Sequence, residues 1–164
     1  SSIKAFGLDV NNVLDGVVSK INEVGNQFAV TNTDIADILQ RSSSAMADAN
    51  NTMEQTIALG TAATEITRDS ESAGTALKTI SMRIRNMDED TGEAITDLKD
   101  LSGTIKGLTG VSIFTDDTNQ TYKSTYQILQ EISGVYDTLS DKSQAEVLEL
   151  IAGNTNALYV QKCA

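Results

Sequence analysis

The feature that most constrains the fold is the complete absence of proline from 164 residues, in a chain whose apolar residues recur at helical spacing. Proline breaks helices because it has no backbone N–H donor and its ring clashes with the preceding turn. A chain without proline can form uninterrupted helices wherever apolar residues return every three or four positions. The sequence therefore favours an all-α fold.

The stretch EITRDSESAGTALKTISMRIR (65–85) shows this spacing most clearly. Its apolar residues form one stripe, at intervals of four, three and four: Ala73, Leu77, Ile80 and Ile84. This pattern predicts an amphipathic helix from about Ser70 to Arg85. Arg83 and Arg85 fall in its last turn, where positive charge is favourable, and they can also pair with the acidic run 88–90.

Gly74 lies inside this predicted helix, where glycine costs about 1 kcal/mol relative to alanine. Together with Ala73 and Ala76 it forms a patch of small residues that a second helix can approach closely. That helix can belong to the same domain or to a partner. We favour packing within the domain, because the chain has many helices to pack.

Similar periodicity predicts about six amphipathic helices arranged as helical hairpins. They cover about 9–24, from 33 into the ADANN stretch (47–51), 52–66, 70–85, 124–139 and from 140 to a C-terminal cap at Gly153. Asp9 is a candidate N-cap, and Thr52–Gln55 and Ser124–Gln127 match the capping-box pattern.

Two connections are predicted between residues 86 and 124. Ile95, Leu98 and Leu101 indicate a short helix, which the glycines at 103, 107 and 110 should end in an irregular connection. VSIF (111–114) is too short for a stable sheet, so we expect an extended linker that places Ile113 and Phe114 in the core.

Candidate catalytic and metal-binding patterns are weak throughout the chain. There is no His, which removes the commonest general base and metal ligand. Calcium-loop spacing counted from Asp88 or Asp117 fails at its sixth and twelfth positions, and no phosphate-binding glycine loop is present. Ser–Lys pairs such as Ser81 with Lys78 have no sign of a buried lysine. We therefore expect no enzyme activity, no cofactor and no metal site.

Charge limits the partners. Twelve Lys and Arg against twenty-three Asp and Glu give a net charge of −11, which argues against nucleic acid and anionic membranes. No stretch has the roughly 18–20 apolar residues of a transmembrane helix. Cys163 is the single cysteine, so an intrachain disulfide is impossible.

Residues 33–85 resemble the core region of phage tail tape measure proteins of the lactococcal-phage type. The similarity lies in ADILQ (36–40), in TMEQTIALGTAATEI (52–66) and in SAGTALKTISMRIR (72–85), which includes Gly74, Thr75, Ala76, Leu77 and Ile80. It continues through LKDLSGTIKGLTGVSIFTDD and SDKSQAEVLELIAG, and so covers about 3–153. Residues 154–164 depart from the family pattern and suggest a truncation or a cloning scar.

The resemblance implies a structural component of a tailed phage or prophage, whose parent protein sets tail length inside the tail tube. It further implies roles in tail assembly and genome ejection, with the tail tube, the tail tip or baseplate, assembly chaperones and other copies of itself as partners. The expected location is the virion, preceded by the host cytoplasm during assembly. We expect one helical domain over 3–153, with a possible subdivision near 86–110.

The chain starts with Ser and in mid-pattern, so we expect a piece of a longer protein. Two other classes stay open at this point. A bacterial helical interaction module, such as a chemoreceptor-like bundle, should show long unbroken heptads, and the glycines at 103–110 argue against them. A cell-wall hydrolase should carry catalytic Glu or His–Cys motifs, which are not found in the sequence.

Overall fold

The computed structural model describes residues 10–20, 32–85, 87, 101–116, 118 and 121–152. Within these ranges the backbone forms helices that pack against one another, and no β-strand, so the all-α prediction is confirmed. The helices are α1 (Val10–Lys20), α2 (Asn32–Asp48), α3 (Met53–Thr67), α4 (Ser70–Ile84), α5 (Leu101–Thr109), α6 (Thr125–Tyr136) and α7 (Asp141–Ala152).

The helices fall into two groups with α1 packed on both. We call α2–α4 the N-terminal unit and α5–α7 the C-terminal unit. α3 contacts α1, α2, α4 and α6. This explains why the α3 sequence, MEQTIALGTAATEIT, carries apolar or small residues on most sides instead of one stripe. One continuous apolar core runs through both units, from Leu14 to Ile151.

The predicted starts of α3 and α6 are confirmed. Both hydrogen bonds of the capping box form at α3, and one of the two forms at α6. At α3 the Gln55 N–H donates to Thr52 Oγ1 and the Thr52 N–H donates to Gln55 Oε1, both at 3.0 Å. At α6 the Gln127 N–H donates to Ser124 Oγ at 3.0 Å. These bonds satisfy N–H groups that the first helical turn leaves without a backbone partner. The proposed caps at Asp9 and Gly153 lie outside the described residues.

The expectation of an irregular connection at residues 103–110 was wrong. Gly103 and Gly107 lie within α5, which ends at Thr109, and only Gly110 leaves helical geometry, with φ +79°. Leu101 and Ile105 are buried four residues apart, and this burial offsets a cost of about 1 kcal/mol for each glycine. The part of the predicted short helix at 95–100 lies outside the described residues.

Residues 111–114 form the predicted extended linker. Ile113 is buried and Phe114 packs half-buried against the core. The Lys123 N–H donates to the Ile113 carbonyl and the Thr115 N–H to the Thr121 carbonyl, both at 2.8 Å. Phe114 and Tyr122 thereby form an isolated antiparallel bridge, and the linker brings the chain back to the start of α6.

None of the helices within the described ranges combines the length and the apolar character that a bilayer span requires.

Candidate functional site: the α2–α4 helix junction

The stripe predicted from the sequence forms the inner face of α4. Ala73, Leu77 and Ile80 are fully buried and Ile84 nearly so. Asp69 caps the helix by accepting from the Glu71 N–H at 3.2 Å, which satisfies one N–H of the first turn. The sequence therefore places four apolar side chains of one helix into the shared core.

Gly74 is the point at which α2 lies against the backbone of α4. A Cβ added at Gly74 would lie 2.8 Å from Arg41 Cβ, 3.1 Å from the Ile38 carbonyl oxygen and 3.3 Å from Ile38 Cα. All three atoms are fixed to the α2 backbone, so no change of side-chain conformation can relieve the overlap. The small patch around Gly74 therefore receives a helix of the same chain.

Gly60 makes room for the same part of α2 from the side of α3. A Cβ at Gly60 would lie 2.9 Å from Ile38 Cδ1 and even closer to Cγ2. Ile38 itself is fully buried. One isoleucine thus lies between two glycines of two different helices, and the three helices of the N-terminal unit meet at it.

Polar contacts flank this point on α2 and α4. Ser70 Oγ donates to Asp37 Oδ2 at 3.0 Å, and Arg41 forms an ion pair with Glu71 at 3.4 Å. Asp37 of α2 contacts Ser70 of α4, and one turn later Arg41 of α2 lies against Gly74 of α4. The two helices therefore run in the same direction. The ion pair has about half of each side chain exposed, so it adds little free energy and mainly fixes orientation.

Other residues of the sequence motif have smaller roles. Ala76 is buried, and Thr75 is half-buried with its hydroxyl donating to the Glu71 carbonyl at 3.0 Å. Arg83 Nη2 donates to the Leu150 carbonyl at 3.3 Å, and the Arg85 guanidinium lies 5.7 Å from the centre of the Tyr122 ring. Both arginines therefore reach the C-terminal unit. The predicted pairing with 88–90 lies outside the described residues.

Sequence reasoning missed two asparagines that join the two units. Asn50 Nδ2 donates to the Tyr122 carbonyl at 2.9 Å, and Asn51 Oδ1 accepts from the Tyr126 N–H at 2.9 Å. Asn50 has φ +66°, a conformation that asparagine tolerates better than most residues. The sequence pattern predicts only that the second helix ends within ADANN (47–51). Two consecutive asparagines at a helix end are nevertheless a local sign of a left-handed turn residue.

A second link between distant segments was also missed. Tyr136 is buried, and its hydroxyl donates to Asp15 Oδ1 at 3.0 Å, joining α6 to α1. Burial, followed by the hydrogen bond to Asp15, raises the pKa of Tyr136 well above its usual value. No spacing rule connects residues 121 positions apart, so the sequence offered no signal for this pair.

The chemistry of the described residues is that of helix packing. Ser81 is buried and its hydroxyl donates to the Lys78 carbonyl at 3.0 Å, while the Lys78 side chain is exposed. Within the described ranges, no three acidic or cysteine side chains come together in a way that could hold a metal ion. What the junction does is hold three helices at close distance.

Comparison with known proteins shows which family the chain matches. A family model described as phage-related minor tail protein matches residues 1–153. No solved structure matches the chain. The matched range includes both units and every residue of the α2–α4 junction.

Proposed function

Because the chain belongs to the phage-related minor tail protein family, we propose that it is a segment of a tape measure protein, the tail component whose length sets the length of the tail. The observation that carries this proposal is the residue-by-residue similarity of SAGTALKTISMRIR (72–85) to the tape measure core. Family membership supports a role in a phage tail, and the motif supports the narrower assignment.

The buried positions of the motif support its use as a folding signature. Ala73, Gly74 and Leu77 are buried at the helix junction, so a sequence that keeps these residues keeps the same packing. The motif is thus expected wherever this folded segment occurs in a tape measure protein.

Helix geometry limits how this segment can contribute to tail length. A helix rises about 1.5 Å per residue, so a fully helical chain of this size would span roughly 250 Å. The longest described helix, α2, has 17 residues and spans about 25 Å. We propose that this segment is a folded module near the tail tip and that the ruler lies in other parts of the parent chain.

The proposed partners are the tail tube, the tail tip or baseplate, assembly chaperones and other copies of the same chain. The proposed setting is the host cytoplasm during assembly and then the virion, where the parent takes part in genome ejection. A net charge of −11 supports protein partners over nucleic acid.

The test is electron microscopy of virions that carry in-frame deletions in the parent gene. A deletion of about 100 residues outside this module should shorten the tail by roughly 150 Å, if the ruler is helical. An equal duplication should lengthen the tail by the same amount. Unchanged tail lengths in both would contradict the tape measure proposal and leave the family assignment standing.

A variant within this segment tests whether the folded module itself contributes to tail length. Gly74→Leu in the full-length parent should reduce the number of assembled tails, because Leu cannot fit against the α2 backbone, while the tails that do form keep their normal length. Shorter tails from this variant would show that the module itself is part of the ruler.

The proposal also includes the absence of hydrolase activity from this segment. It is supported by the lack of His in the whole chain. The purified chain should release no sugar or peptide fragments from peptidoglycan over the level of a buffer control. Measurable release would contradict this part of the proposal.

A further inference from the structure

The two asparagines of the α2–α3 turn hold the C-terminal unit where α6 begins. We propose that the Asn50–Asn51 turn is a latch: when it is removed, residues 121–124 and the start of α6 open, while the N-terminal unit stays folded. This concerns the mechanics of the fold and is independent of the tape measure proposal.

Asn51 suits a latch because its single amide group contacts two helix ends at once. Its Nδ2 donates to the Met46 carbonyl at 2.9 Å, near the end of α2. Its Oδ1 accepts from the Tyr126 N–H at 2.9 Å, in the first turn of α6. Its amide offers a donor and an acceptor on two separate atoms, so one short side chain can bond to both helix ends. The side chain is buried, so a lost contact is not replaced freely by water.

Each helix end at the latch also has a local cap of its own. At the end of α2, the Asn51 N–H donates to the Met46 carbonyl at 2.9 Å and the Asn50 N–H to the Ala47 carbonyl at 3.0 Å, which is the Schellman arrangement. Ser124 caps α6 through the Gln127 N–H. Removing the Asn51 side chain therefore leaves the helices capped and removes the hydrogen bond between this turn and the first turn of α6.

The N-terminal unit does not depend on the latch for its own packing. Its close contacts are those of Gly60 and Gly74 with Ile38 of α2, reinforced by the hydrogen bond of Ser70 to Asp37. All of these atoms belong to α2, α3 and α4. We therefore expect this unit to keep its structure when the start of α6 is released.

The far end of α6 is held elsewhere. Tyr136, its last residue, donates to Asp15 of α1, and Arg83 of α4 donates to the Leu150 carbonyl of α7. These contacts lie away from Tyr126 and stay intact when the latch is removed. They therefore keep the two units from separating completely. Loss of the latch should loosen the first turn of α6, while its Tyr136 end stays held.

The test is hydrogen exchange with mass spectrometry on the complete 164-residue chain and on Asn51→Ala. Peptides from 121–124 and the first turns of α6 should exchange roughly tenfold faster in the variant, since the Tyr126 N–H loses its buried acceptor. Peptides from α2–α4 should stay within about twofold of the parent chain. Equal acceleration in every helix, or no acceleration at all, would overturn the latch.

Three further variants keep the test interpretable. Asn50→Gly keeps the left-handed turn but loses the bond to the Tyr122 carbonyl, and should accelerate the same peptides less. Asn51→Asp keeps the acceptor for the Tyr126 N–H and loses the donor to the Met46 carbonyl. Its exchange rates should lie between those of Asn51→Ala and the parent chain. Thr52→Ala removes a cap one residue away within the N-terminal unit, and should not accelerate 121–124 or α6 selectively. Selective opening in Thr52→Ala would also overturn the proposal.

Discussion

In the N-terminal unit, Gly60 and Gly74 both lie at helix crossings, where an added Cβ would overlap atoms of α2. In the C-terminal unit Gly107 of α5 and Gly134 of α6 behave differently, since a Cβ at either would meet no neighbouring atom of the described residues within 4 Å. Both groups lower intrinsic helix stability by a similar amount. Only the first group is compensated by close packing within the described fold.

The difference shows that glycine inside a helix has no single structural meaning. The N-terminal unit combines close approach of its helices at two glycines with the buried stripe of α4. The C-terminal unit is held mainly by larger side chains, such as Ile128, Leu129 and Ile132, and by its contacts with the other unit. Four sets of substitutions test this contrast.

The largest expected effect is in the stripe of α4. Leu77→Ala should lower the free energy of unfolding by about 3 kcal/mol, because it removes buried methyl groups and leaves a cavity in a fully buried position. Urea denaturation monitored by circular dichroism measures this change. Lys78→Ala, on the exposed side of the same helix, is the control and should change it by less than about 0.5 kcal/mol. Equal losses in the two variants would contradict the assigned burial of the stripe.

Gly74→Ala should destabilise the chain by about 1–2 kcal/mol. Overpacking costs about 1–3 kcal/mol, while better helix propensity returns up to about 1 kcal/mol. At Gly60 the obstructing atoms belong to the Ile38 side chain, so Ile38→Ala should relieve part of the overlap caused by Gly60→Ala. Thermal denaturation of the single and double variants checks both expectations. A stabilising Gly74→Ala would mean that the helices can separate at no cost.

Tyr136→Phe tests a contact between α6 and α1. At neutral pH it should cost about 1.5 kcal/mol, since the hydroxyl donates to a carboxylate. The pKa of Tyr136 is raised in the folded state, so the stabilisation is complete below about pH 10 and decreases as the pH rises above the pKa of the unfolded chain. Urea midpoints of the parent and the variant, measured from pH 7 to 11, should therefore converge at high pH. A difference that grows with pH would contradict the assigned shift.

The smallest expected effects have the opposite sign. Gly107→Ala and Gly134→Ala should each stabilise the chain by up to about 1 kcal/mol, because the added methyl group meets no neighbour. Thermal denaturation measures the gain, and Gly110→Ala is the matched control. Gly110 has φ +79°, so alanine there should destabilise. A loss of stability in the first two variants would indicate that those glycines are needed for packing.

The sequence alone determined which segments are helical and which faces are buried. The stripe from Ala73 to Ile84 and the capping residues Thr52 and Ser124 are local patterns, set by the 3.6-residue period and by unsatisfied N–H groups at helix starts. The extended linker at 111–114 followed from its short length and apolar composition. Local rules failed at α5, where burial of Leu101 and Ile105 outweighed the glycines.

Only the tertiary structure decided which surfaces meet. From the sequence, the patch around Gly74 suits a helix of the same domain, which we favour, or of a partner, and the structure assigns it to α2 at Ile38 and Arg41. It likewise joins Asn51 to Tyr126 and Tyr136 to Asp15, across 75 and 121 positions of the chain. Periodicity describes one element at a time, whereas contacts between distant elements depend on how all the buried faces are covered together. For this reason the sequence predicted the helices, and the tertiary structure revealed the junction between them.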